Sequence, residues 1–162
     1  MVRLVALGLA AFCYFQPGFA FADDAAKLMV GTWKLTSWVI QVVGEQQATE
    51  PMGGNPKGRL VITPDGYMSV IVAAGNRKPA TNNDERAALL NSLLACTGKY
   101  NVEGDKITIN VDVSWNELLT GQDQVRYVKV EGDKLSIRTA EQVSAVYPGK
   151  RVIGTLAWER ER

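Results

Sequence analysis

The chain has 162 residues, with 18 lysines and arginines against 17 aspartates and glutamates, two cysteines and no histidine. That length suits one domain with a real core, and the near-zero net charge argues against nucleic acid or an anionic membrane as the main partner. The missing histidine excludes a Ser-His-Asp triad, Cys-His chemistry, and His-ligated zinc or haem.

Residues 1–22 read as a secretory signal. Arg3 opens it, residues 4–15 form an apolar run too short for a membrane span, and Pro17-Gly18 breaks that run. Ala20-Phe21-Ala22 then offers an A-x-A cleavage site before Asp23-Asp24. The expected organisation is a signal peptide over 1–22 and a single domain over 23–162, periplasmic or secreted, with no stable membrane insertion after cleavage. Loss of Arg3 leaves 17 basic residues against 17 acidic ones. Loss of Cys13 leaves Cys96 alone, so the mature chain has no intramolecular disulfide, and Cys96 reads as a small buried apolar residue.

The run Leu28-Met29-Val30-Gly31-Thr32-Trp33-Lys34-Leu35 heads the first alternating segment. Glycine there permits a sharp entry into a strand, and the indole two residues on brings a large apolar surface. A long strand is predicted over 33–43, a loop over 44–55, and strands over 57–63 and 67–74. Between the last two, Thr63-Pro64-Asp65-Gly66 is a tight turn in which Pro presets φ, Asp caps and Gly takes φ > 0. A helix is predicted over 84–95, capped by Thr81, Asn82 or Asn83, with Leu89, Leu90, Leu93 and Leu94 on one face. That face has two readings: packing against the barrel, or a lid over its mouth.

Further strands are predicted over 98–102, 106–113, 124–130 and 134–139. Gly104-Asp105 and Gly132-Asp133 sit in near-identical contexts as two-residue hairpin turns. Tyr147-Pro148-Gly149-Lys150 turns the chain into a last strand over 151–160. The fold class is therefore all-β: about eight antiparallel strands in sequential hairpins, with one helix inserted between the middle strands. An up-and-down barrel closes such a set without an exposed edge.

Gly31-x-Trp33 on the first strand and Arg160 on the last resemble the lipocalin arrangement. More specifically, the chain resembles the bacterial lipocalin-like domain family. The resemblance runs through Gly31-Thr32-Trp33-Lys34-Leu35, the segment from Gly58 to Ser69, Gly98-Lys99-Tyr100-Asn101-Val102, Gln124-Val125-Arg126-Tyr127 and Trp158-Glu159-Arg160. It implies a lipocalin-like, calycin-type barrel, with Gly31, Trp33 and Arg160 closing one end. Arg160 would then lie across the Trp33 ring, a cation–π contact worth ~0.5–2 kcal/mol. The Thr-Asp-Tyr motif of longer-known lipocalins is absent.

Period two and the resemblance together make Leu60, Ile62, Met68, Val70, Tyr100, Arg126, Tyr127 and Trp158 the expected ligand-binding residues. An inward Arg126 needs an acidic or carbonyl partner, which a ligand carboxylate supplies; an outward Arg126 pairs across strands. Tyr100 and Tyr127 offer hydroxyls. No nucleophile elbow, phosphate loop, metal-ligand cluster or dinucleotide fingerprint is present, so no catalytic residue, metal or cofactor is expected. The expected function is the binding of a small, mostly hydrophobic molecule inside the barrel, without chemistry. Two alternatives stay open: a cofactor-free isomerase or cyclase using an inward Tyr–Arg or Tyr–Asp pair, and a structural or inhibitory protein whose core is filled.

Overall fold

The computed structural model describes residues 20–46, 48–144 and 147–162. Of the predicted signal segment 1–22, residues 1–19 lie outside them. Helix α1 (Ala20–Met29) leads into strand β1 (Gly31–Val42). There follow β2 (Ala48–Thr49), β3 (Lys57–Ile62), β4 (Tyr67–Ala73), helix α2 (Asn83–Asn91), β5 (Leu93–Glu103) and β6 (Lys106–Ser114). A 3-10 turn (Glu117–Leu119) precedes β7 (Asp123–Glu131), β8 (Lys134–Thr139), β9 (Gln142–Val143) and β10 (Arg151–Arg160).

Eight of these strands, β1, β3 to β8 and β10, pair antiparallel around a closed barrel, because β1 pairs with β10 as well as with β3. The closing register sets Trp33 opposite Arg160 and Val42 opposite Val152. The two-residue strands β2 and β9 extend the far halves of β1 and β10. The hairpins arise from local turn chemistry. Gly66, Gly104 and Gly132 all take positive φ, at +90°, +66° and +60°, where a side chain would be strained. At the first of these turns the Thr63 hydroxyl also receives the Tyr67 N–H at 3.1 Å.

Two features of the fold differ from the sequence prediction. The helix ends at Asn91 rather than Ala95, and Leu93 and Leu94 belong to β5, so the four-leucine helical face does not form. The reason is pairing. Residues 93–99 align with β4, from Leu93 opposite Ala73 to Lys99 opposite Tyr67. Continuing the helix would leave that edge of β4 without hydrogen-bond partners. Second, the loop over 44–55 contains β2, and β9 follows β8; both are too short for periodicity to register.

The core is densest at the Trp33 end. Trp33, Trp158, Met29, Leu60, Ile62, Ile107 and Leu135 are all fully buried. There α1 is fastened by side chains that take up carbonyls at its end and of the residue that follows it. The Trp33 indole donates to Met29 O at 2.8 Å, and Arg160 donates to Val30 O at 2.8 Å and Leu28 O at 2.7 Å. The last carbonyls of a helix have no intrahelical partner, so these bonds answer an intrinsic need. The Arg160 guanidinium lies 4.0 Å from the Trp33 ring centroid. Gly31 makes room for it: a Cβ there would sit 2.6 Å from an Arg160 nitrogen.

Candidate ligand cavity

Beyond this closed end the interior is not filled. A cavity of about 160 Å3 runs from the Trp158 ring toward the end of the barrel formed by Leu119, Gln142 and Val152. Along β10 the residues Trp158, Leu156, Gly154 and Val152 line it in alternation, as a strand facing a lumen requires. Leu60 and Met68 join Trp158 at the deep end, and Val70, Ile109 and Val111 form part of the side wall.

Strand β1 contributes through an irregularity. Trp33 and Leu35 point into the core, but the register shifts between Leu35 and Ser37. After that bulge the inward residues are Trp38 and Ile40, both on the cavity wall. A bulge inserts one residue and so swaps the faces of the residues beyond it.

Arg126 lies on the inner face of β7, with Gln124 two residues before it. One terminal nitrogen donates to Val125 O at 2.7 Å and the other to Gln124 Oε1 at 3.1 Å. Burial pushes the guanidinium below its ordinary pKa, an effect opposed by the nearby Cys96 thiol. Burial pushes Cys96 in turn above the usual thiol range, opposed by the charge on Arg126. Cys96 is half-buried, packs against the core and also lines the cavity.

Of the sequence-predicted residues, Leu60, Met68, Val70, Arg126 and Trp158 come together on the cavity. Ile62 is fully buried at the closed end and does not reach it. Tyr100 also stays outside: its hydroxyl donates to Thr63 O at 3.0 Å beside the first turn. Burial raises the Tyr100 pKa, reinforced by the charge of Asp65. Tyr127 follows Arg126 directly and so projects from the opposite face of β7, where its ring stacks with Arg138 at 5.5 Å. The inward Tyr–Arg pair that a cofactor-free isomerase calls for is thus not formed by either tyrosine.

Helix α2 contributes no residue to the cavity lining and buries no side chain. Leu94 does line the cavity, but from β5, and Leu119 does so from the 3-10 turn. Gln142 on β9 and Thr139 at the end of β8 complete the polar part of the wall. Among the described residues no cluster of metal-binding side chains is found, and no helix is long and apolar enough to cross a membrane.

A closed eight-stranded antiparallel barrel, plugged at one end and hollow toward the other, is the architecture of a lipocalin-like domain. Comparison with known protein families matches residues 30–161 to the lipocalin-like domain, and the chain belongs to that family. A search among curated proteins finds no match.

Proposed function

We propose that this protein binds a small, mostly hydrophobic molecule inside its barrel and performs no chemistry on it. The observation that carries the reading is the cavity of about 160 Å3, walled largely by Trp38, Val70, Ile109, Leu156 and Trp158. An apolar cavity of about 150 Å3 is large enough for a benzene-sized group, so a ring or a short chain fits inside and a longer chain extends through the mouth. Burying ~200 Å2 of apolar ligand surface is worth about 5 kcal/mol before the entropic cost of association. A filled-core structural role has no comparable support, because a filled barrel has no such space.

The signal-like features of residues 1–22 support export, with residues 23–162 as the mature chain in the periplasm or medium. Because Trp38 and Trp158 both line the cavity, intrinsic fluorescence is a direct probe of occupancy. Titration with neutral apolar compounds is expected to shift or quench the emission saturably in the wild type. Ile109→Trp, which fills the lumen, is expected to weaken that binding at least ~10-fold. Equal binding by both would place the ligand outside the barrel and defeat the proposal.

A further inference from the structure

Arg126 is the single charged residue among the described residues that line the cavity. Its two hydrogen bonds both go to its own strand, to Val125 O and Gln124 Oε1. A guanidinium has five N–H donors, so most of the fork is left for something else. Among the described residues it forms no ion pair. The ion-paired arginines, Arg59, Arg151, Arg160 and Arg162, all meet their carboxylates outside the cavity. A desolvated cation without a counter-charge is costly to keep.

A second donor stands beside it. Thr139 is opposite Arg126 in the β7–β8 register and lines the same cavity. Its hydroxyl oxygen already accepts the Gly154 N–H at 2.9 Å, which leaves its O–H free to donate. Gln124 holds its oxygen toward Arg126 and retains an amide NH2 with two donors.

We propose that the natural ligand is a monoanionic amphiphile whose carboxylate seats on Arg126 and Thr139 while its apolar body lies against Met68, Leu156 and Trp158. The inference rests on the reading of the cavity as a ligand site and goes one step beyond it. A carboxylate suits the planar guanidinium fork, which binds it bidentately. One cation in an otherwise uncharged lining matches one negative charge; a dianionic phosphate monoester would bring a second charge with no partner there.

The test uses two matched pairs of probes at pH 7, where a carboxylic acid is ionised: octanoate against octan-1-ol, and 3-phenylpropanoate against 3-phenylpropan-1-ol. Tryptophan fluorescence gives the affinities. The wild type is expected to bind the acid of at least one pair about 10-fold or more tighter than its alcohol. Arg126→Gln and Arg126→Met, the second preserving the stem's bulk, are expected to bring that ratio to about one. Arg138→Gln, on the outer face beside Tyr127, is expected to keep the wild-type ratio. A wild type that prefers the alcohols, or a preference for acids that survives loss of Arg126, overturns the anionic head while leaving the hydrophobic cavity standing. Binding of none of the four probes overturns both.

Discussion

Two tryptophans that look alike in the sequence play different parts. Trp33 is fully buried, donates to Met29 O and carries Arg160 on its face. Trp158 is equally deep, but its indole N–H has no acceptor among the described residues. A buried donor left unpaired costs about 1–3 kcal/mol. Trp33→Ala is therefore expected to lower unfolding stability by ~3–5 kcal/mol in urea titration. Trp158→Phe removes the unpaired donor together with some packing, and the two effects are expected to offset to within ~1 kcal/mol. A loss under ~1 kcal/mol for Trp33→Ala would contradict the closing arrangement.

The ionisable residues also make a residue-scale prediction. The Cys96 thiol and the Tyr100 hydroxyl both have raised pKa values in the fold, chiefly through burial. The folded state then prefers their protonated forms, while the unfolded chain ionises at the ordinary values of 9.0 and 10.0. Stability from this source is intact below about pH 9 and falls as pH climbs through the alkaline range. Urea midpoints taken from neutral pH into the alkaline range are expected to hold and then drop, and Cys96→Ala is expected to delay the drop. A midpoint that rises with alkalinity would contradict the assignment.

Which side chains face inward is only partly legible at this scale. Alternation groups Leu60, Met68, Val70 and Trp158, and all four line the cavity. It also requires that Arg126 and Tyr127, as neighbours on one strand, cannot both do so; the local sequence does not reveal which one turns in. Trp38 and Ile40 escape sequence reading because the bulge after Leu35 reverses the faces of β1, and no turn residue marks it.

Elements governed by local chemistry are the ones the sequence displays well. The Pro-Asp-Gly turn and both Gly-Asp turns need glycine at positive φ, and they define three hairpins. Helix α2 begins where its cap signals put it: Asn82 Oδ1 accepts the Glu85 N–H at 2.9 Å, and Glu85 reaches back to the Thr81 N–H at 2.7 Å. Its end is hidden, because a leucine- and alanine-rich segment favours a helix locally while pairing with β4 is a long-range effect.

Glycines separate two kinds of constraint among the strands. Gly98 lies at the β5–β6 irregularity, where a Cβ would collide with the Asn110 carbonyl and the Val111 backbone. Gly104 has open space around it and is constrained only by its φ of +66°. Gly104→Ala is expected to cost about 1–2 kcal/mol, the ordinary penalty for the left-handed region. Gly98→Ala forces backbone apart and is expected to cost more, ~3 kcal/mol or above. Chemical unfolding of the two variants in parallel gives the order, and a reversed order would contradict the register.

At the scale of the whole molecule, the closed and open ends divide the work. Strand closure, the α1 plug and the Trp33–Arg160 contact consolidate one end, while the other half of the barrel keeps a lumen. The barrel itself is readable from strand count and turn spacing. The hollow is not, because it depends on the summed volumes of side chains brought together from all eight strands of the barrel, which no local pattern encodes. The central claim is that this hollow holds a ligand. Native mass spectrometry of the protein, isolated gently from its own host, tests it most directly. The account expects an added mass, that of a small molecule in keeping with a cavity of about 160 Å3, which leaves on denaturation. A bare mass, joined by unchanged tryptophan emission across fatty acids, aromatics and isoprenoids, would contradict it.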